Sequence, residues 1–218
     1  MIRLPVKNSD ENYYPGKLVC VGRNYREHAE ELGNVVPEAP LLFLKPASAV
    51  IFSGDKIIHP AYSDNLHYEL ELVLLIGKDI ADANDAEADV ALAGYGVGLD
   101  MTLRDLQAEE KKLGHPWTLS KCFDTSAVLS DFVLRKDYQL TLDENIILKV
   151  NGVVKQNSPL NKMIFKPVEL IKYISSRLRL EKGDLIFTGT PAGVGRVIRG
   201  DKLEGEITNV AGLYTEIA

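Results

Sequence analysis

The stretch HYELELVLLI, His67 to Ile76, decides the fold: an apolar strand carries two carboxylates, Glu69 and Glu71, two positions apart. Successive side chains of an extended chain point to opposite faces, so the glutamates share one face while Leu70 and Leu72 take the other. Two like charges become neighbours. On an enclosed face, burial and repulsion would force one of them to take up a proton unless a cation lay between them. Hard oxygen ligands without a nearby thiolate or paired histidine suit Mg²⁺, Mn²⁺ or Ca²⁺ better than Zn²⁺. A Glu-x-Glu pair most often marks a solvated edge strand, so its surroundings must decide.

GYGVGLD follows at 94–100. Gly94, Gly96, Gly98 and Asp100 share one parity, which gives a strand face bare of side chains until it ends in a third carboxylate. A bare face lets a ligand, a sheet or a bulge approach the backbone. The spacing lacks the Gly-x-Gly-x-x-Gly register of dinucleotide sites. In MTLRDLQAEEKKLG, 101–114, Thr102 and Asp105 are spaced as a capping box and Gly114 as a stop, so a helix begins just past Asp100. Arg104 and Gln107, three apart, then share a helical face turned toward that aspartate.

Working outward, strands are expected at Lys17–Gly22, Leu41–Leu44, Tyr68–Ile76, Gly94–Leu99, Ile146–Val150 with an Asn151-Gly152 turn, Asp184–Thr188 and the alternating C-terminal stretch. Helices are expected at Tyr25–Leu32, capped by Asn24 and ended by Gly33, and at Val168–Leu178. Strands outnumber helices without regular alternation. The expected class is α+β and β-rich, with residues 1–15 as an N-terminal arm and 16–218 as a single domain.

Composition narrows the function classes. With 31 acidic and 25 basic residues the formal charge is −6, and no Lys/Arg cluster is placed to follow a phosphate backbone. Nucleic acid is not the expected partner. The longest aliphatic run, Leu72–Ile76, is far below the ~20 residues a membrane span needs, and the polar N-terminus does not resemble a secretory signal. A soluble, cytoplasmic protein with Cys20 and Cys122 reduced is expected.

TGTPAGVG, 188–195, follows an expected strand; its glycines permit a tight loop whose N–H groups could meet a substrate carboxylate, but the Gly-Lys-Ser/Thr ending of a phosphate loop is absent. His28 and Glu31 are three apart on the expected helix, so the carboxylate can fix the imidazole tautomer and raise its basicity. His59, His67 and His115 are left as structural or exposed. Cys122 is read as packing instead of a nucleophile.

These segments resemble the fumarylacetoacetate hydrolase family, especially its short single-domain branch of acylpyruvate hydrolases and oxaloacetate-handling enzymes. The resemblance runs from about Lys17 to the C-terminus through VGRNYREHAEELG, LLFLKPASA, HYELELVLLIGKDI, GYGVGLDMTLRDLQ, KCFDT and TGTPAGVG, six motifs in family order. It implies a β-roll-like fold of mixed sheets with a few peripheral helices, a homodimer, and a divalent metal, Mg²⁺ with Mn²⁺ or Ca²⁺ as substitutes, on Glu69, Glu71 and Asp100. It also implies catalytic roles for His28, Glu31 and Lys121, and substrate contacts for Arg104, Gln107 and Thr190. The segment SAVLSDFVL after the Phe-Asp-Thr element departs from the family's usual Gly-Pro or related turn, so the pocket wall there is expected to differ.

The chemistry implied is metal-assisted. A small 2-oxo acid can chelate one cation through its carboxylate and carbonyl oxygens, which makes the adjacent C–C bond easier to break. The leading expectation is hydrolysis of a C–C bond in an acylpyruvate-like β-diketo acid. Alternatives are an oxaloacetate decarboxylase or tautomerase, a 2-hydroxyhepta-2,4-diene-1,7-dioate isomerase, and a metal-binding scaffold without turnover.

Overall fold

The computed structural model describes residues 2–33 and 35–218. Its main layer is a mixed sheet in the order Leu41–Lys45, Leu18–Gly22, Leu185–Phe187, Leu70–Ile76, Leu92–Asp100, Ala127–Leu129, Val50–Phe52, with Val133–Leu134 also paired to Leu92–Asp100. A second sheet runs Val153–Pro159, Asn145–Val150, Lys202–Ile207, Ala211–Ile217, Lys56–Ile57. Short α-helices lie at Arg26–Glu31, Asp85–Ala91, Arg104–Leu113, Thr118–Lys121 and Pro167–Ser175. The class is therefore the β-rich α+β arrangement of curled mixed sheets expected from the sequence. No helix among the described residues is long and apolar enough to cross a membrane.

Local chemistry explains several elements directly. Asn151 and Gly152 both adopt left-handed backbone, φ 50° and 78°, the pair a two-residue hairpin turn requires between Asn145–Val150 and Val153–Pro159. The last strand, Ala211–Ile217, alternates inward and outward along its length, as a half-buried strand should. Gly114 ends the Arg104–Leu113 helix at φ 69°.

The glutamate and glycine strands are antiparallel neighbours, with Gly98 opposite Glu71, Gly96 opposite Val73 and Gly94 opposite Leu75. Opposed residues share a face, so this register places Glu71 beside the strand's carboxylate end. The bare face is filled by the protein itself. A Cβ on Gly98 would lie 2.6 Å from the Phe187 ring and 2.7 Å from Val73, and one on Gly96 would lie 3.0 Å from Phe132. Small residues here admit aromatic rings into a second core on the same face of the sheet as Glu71 and Asp100, which Leu18, Cys20, Leu75 and Leu129 complete.

Three local expectations need correction. The strand expected from Tyr68 to Ile76 breaks at Glu69, because Leu66–Tyr68 leaves the main sheet to pair with Gly195–Arg196 and Thr102–Leu103. Asn24 does not cap the first helix, whose N-cap is Tyr25; its amide donates to Phe165 O at 3.0 Å and Thr188 O at 2.8 Å and accepts from Phe165 N at 2.7 Å. Thr102 and Asp105 form no capping box, because the helix starts only at Arg104. Asp105 instead accepts from Ser63 Oγ at 2.7 Å and Asp64 N at 3.1 Å.

The first residues lie against this second core. Leu4 and Tyr13 are buried, Leu4 N donates to Tyr13 O at 2.8 Å, and Lys7 N donates to Phe132 O at 2.9 Å. Cys20 and Cys122 are free thiols, and burial first of all pushes both above the ordinary range. Neither has the electropositive exposure of a reactive cysteine.

Candidate active site

The two adjacent strands bring Glu69, Glu71 and Asp100 together, with one oxygen of each within 4.8 Å of the others. Their exposures are 6%, 2% and 0%, so all three charges are out of water. Asp100 is locked to the partner strand by its N–H, which donates to Glu69 O at 2.9 Å.

Buried carboxylates need compensation, and three cations supply it unevenly. Lys121 Nζ donates to Glu69 Oε2 at 2.9 Å and to Asp100 Oδ2 at 2.5 Å, while Arg104 Nη2 donates to Glu69 Oε1 at 2.5 Å. Lys45 Nζ is 2.9 Å from Asp100 Oδ1, but it directs hydrogen bonds to the carbonyls of Met101 at 3.1 Å, Ser126 at 3.1 Å and Lys121. Asp100 Oδ1 thus has an ionic neighbour and no hydrogen bond. Among the described residues, Glu71 receives only Gly189 N–H, at 2.6 Å.

The electrostatics follow. Against the cost of burial, Lys121 and Arg104 hold the Glu69 carboxyl well below the usual carboxylate range. Burial, followed by repulsion from Asp100 and Glu69, pushes Glu71 well above it. An unbonded oxygen on Asp100, a Glu71 that resists ionisation and an all-carboxylate donor set fit a hard divalent cation.

Facing this cluster is the short helix Arg26–Glu31. His28 is 4% exposed; burial lowers its pKa, and Glu69 and Glu31 oppose the shift. Its Nδ1 is 3.3 Å from Glu31 Oε2, which assigns the Nδ1 proton to that contact and leaves Nε2 as the free base. Glu31 in turn accepts Gly193 N–H at 3.1 and 3.2 Å. His28, Glu69, Glu71, Arg104, Gln107, Lys121 and Thr190 line one cavity; Glu31 and Asp100 stand behind through the contacts just given.

The remaining residues named from sequence have partners within the wall. Gln107, 3% exposed, accepts from Arg104 Nη1 at 2.7 Å. Thr190 donates its hydroxyl to Leu70 O at 2.8 Å and accepts from Gln156 Nε2 at 2.8 Å. Two of the glycine loop's N–H groups, those of Gly189 and Gly193, donate to Glu71 and Glu31 and pin the two halves of the site together. His67 is structural: Nε2 pairs with Asn65 Oδ1 at 2.9 Å, and burial, then Arg104, pulls it down to about 4.

Sequence reasoning overlooked three supporting residues. Lys45 organises the back of Asp100. Gln156 ties Leu70 N, at 3.1 Å, to the glycine loop. Glu110 accepts Leu119 N–H at 3.0 Å and Ser120 Oγ–H at 2.5 Å, which seats the helix carrying Lys121. Only Lys45 carried a signal: a lysine closing the apolar run LLFLK.

A buried carboxylate triad, with Glu69 and Glu71 on a cavity wall and Asp100 behind it, beside a His–Glu pair in a β-rich fold is the arrangement of a metal-dependent enzyme of small molecules. The chain belongs to the fumarylacetoacetate hydrolase family: the model for the "Fumarylacetoacetate (FAA) hydrolase C-terminal" family matches residues 17–218. It is 45% identical over 205 residues to the mitochondrial oxaloacetate tautomerase FAHD1 of Arabidopsis thaliana, covering 92% of this chain and 90% of that one. It superposes with a TM-score of 0.95 on fumarylpyruvate hydrolase from Pseudomonas aeruginosa in complex with Mn²⁺ and pyruvate, at 37% identity, covering 100% and 95% of the two chains. The 2-hydroxyhepta-2,4-diene-1,7-dioate isomerase of Mycobacterium marinum gives 0.82 at 32% identity, covering 94% of this chain and 75% of that one.

Proposed function

We propose that this enzyme is a Mg²⁺-dependent hydrolase that cleaves a C–C bond in acylpyruvate-type β-diketo acids. The observation that carries this reading is that His28, backed by Glu31, lines the same cavity as Glu69 and Glu71. The cation, Mg²⁺ or in its place Mn²⁺ or Ca²⁺, would be held by Glu69, Glu71 and Asp100 and would act as a Lewis acid on the 2-oxo acid head.

The chain's own groups do the rest. Glu31 keeps the proton on His28 Nδ1, and His28 Nε2 takes a proton from water. That water adds to the carbonyl carbon remote from the 2-oxo acid. The bond from that carbon to the methylene then breaks, its electron pair passes to the methylene carbon as a pyruvate enolate, and protonation there gives pyruvate and a carboxylic acid. Gln107 donates to the developing oxyanion, Lys121 and Arg104 offset the gathered negative charge, and Thr190 walls the head group.

A second reading is supported by the 45% identical oxaloacetate tautomerase: with oxaloacetate the same pair would move a proton between carbon and oxygen, with no attacking water. The resemblance further supports a homodimer. Acetylpyruvate, fumarylpyruvate and oxaloacetate assayed with Mg²⁺ decide between the readings. Hydrolysis of acetylpyruvate should stop with EDTA and return with Mg²⁺ or Mn²⁺, and Glu71→Ala should abolish Mg²⁺ binding in calorimetry. Oxaloacetate turnover without acylpyruvate cleavage would transfer the assignment to the second reading; metal binding without any turnover would reduce the protein to a scaffold.

A further inference from the structure

The cations lining the cavity fall into two sets. Arg104 and Lys121 are engaged, at 2.5 to 2.9 Å from Glu69 and Asp100. Arg23 and Lys111 line the same cavity, and among the described residues neither side chain forms an ion pair or a hydrogen bond. Lys111 is exposed overall, yet its ammonium sits 5.4 Å from the centre of the Trp117 ring. Burial, followed by the like charges of Arg104 and Arg23, lowers its pKa. Among the described residues, these two cations thus share the cavity with no carboxylate within ion-pair distance of either.

The backbone holds Arg23 there at a cost. Its φ of 60° is left-handed, a region that disfavours a residue with a long side chain. The next residue, Asn24, is fixed by its three hydrogen bonds to Phe165 and Thr188. The preceding Gly22 is closely packed, since a Cβ there would lie 3.3 Å from Leu41 and 3.7 Å from Trp117. Leu32, Phe43 and Trp117 supply an apolar wall to the same cavity, with the two aromatic rings packed edge to face at 5.7 Å. The lining therefore holds a carboxylate cluster, an apolar surface and a pair of unpartnered cations.

We infer that Arg23 and Lys111 are specificity-determining residues that bind a second carboxylate of the substrate, at the end remote from its 2-oxo acid head. This rests on the reading of the head site given above and extends it to the other end of the molecule. An anionic tail relieves the repulsion between the two cations, and Arg23 can grip it with two parallel N–H donors. A tail without charge would leave both cations unpaired, which is the kind of mismatch that discriminates strongly.

The test uses 2-oxo acids that have no β-carbonyl to attack and differ only at the far end: 2-oxoglutarate against 2-oxopentanoate, and 2-oxoadipate against 2-oxohexanoate one methylene longer. Binding to the full-length protein with saturating Mg²⁺ is measured by calorimetry. The wild type should bind the dicarboxylate of at least one pair ten or more times tighter than its uncharged partner. Arg23→Asn, which tolerates the left-handed backbone, combined with Lys111→Met, which keeps an apolar stem on Trp117, should bring that ratio below two. Binding of the uncharged acids should change less than threefold, which also shows that the variant is folded. A wild type with no preference in either pair, or a preference that survives in the double variant, overturns the inference and leaves the head site standing. If none of the four acids binds with Mg²⁺, the head-site reading falls and takes this one with it.

Discussion

Glu31 and Gly193 are joined by a bifurcated hydrogen bond: the Gly193 N–H lies 3.1 and 3.2 Å from the two carboxylate oxygens, one of which also faces His28. The helix that bears the base is thereby latched to the glycine loop. Gly193 itself sits at φ 98°, where a Cβ would meet Lys155 O at 2.1 Å, so the latch position admits no other residue. Glu31→Gln keeps an acceptor for the loop but removes the charge that orients the imidazole. We expect kcat for acetylpyruvate to fall about 10²-fold with little change in melting temperature, the lower end of what losing a general base costs. A Glu31→Gln enzyme with wild-type kcat would remove Glu31 from the mechanism.

His28 sets the pH dependence. Burial lowers its pKa, so the imidazole remains a neutral base at and somewhat below 6.5, where an ordinary histidine is half protonated. As pH falls, kcat/KM for acetylpyruvate should stay level through 6.5 and decline only further down, and His28→Gln should lose the decline together with most of the rate. A wild-type profile already halved above pH 6.5 would contradict this placement.

Lys45 is the most consequential residue outside the cavity. Fully buried, it serves three carbonyls and lies against Asp100. Lys45→Met leaves Asp100 and those carbonyls short of their cation, and breaking a buried pair on one side costs about 3–5 kcal/mol. Urea denaturation of the metal-free protein should show a loss of that size. A loss under about 1 kcal/mol would mean that water replaces the ammonium without penalty.

Gly98→Ala tests the back wall. The added methyl would press on Phe187 and Val73 at 2.6 and 2.7 Å, and overpacking of this kind costs about 1–3 kcal/mol. Because Gly98 lies two residues before Asp100, Mg²⁺ affinity should fall along with stability. Gly114→Ala, with open space around its Cβ, should cost stability through its left-handed φ and leave Mg²⁺ affinity unchanged. Equal effects of the two variants on metal binding would show that Gly98 has no special bearing on the site.

Legibility from the sequence tracks the range of the interaction. The shared face of Glu69 and Glu71, the Asn151-Gly152 hairpin and the stop at Gly114 depend on neighbours a few residues away and were readable from spacing. Asn24 reads as a helix cap because its actual partners, Phe165 and Thr188, lie 141 and 164 residues along the chain. Asp105 was misread for the same reason, its partner Ser63 being 42 residues away. The bare glycine face predicts close approach by something, and only the fold reveals that Phe132 and Phe187 fill it. The motif resemblance named the residues of the site. It did not reveal that Lys121 and Arg104 pair with the carboxylates, since a list of residues carries no distances.

The aromatic filling packed on the glycine strand also divides the enzyme for anyone who would redesign it. A change at Gly96 or Gly98 presses on the Phe132 or Phe187 ring and on the strand that ends at Asp100, so the rear of the catalytic chamber is closed to innovation. The opposite side is built from a six-residue helix, a left-handed corner at Arg23 and an indole at Trp117, none of which shapes that rear core. Divergence toward new substrates has a single direction in which to travel: from the front, by exchange of that removable cover over a chassis that does not move.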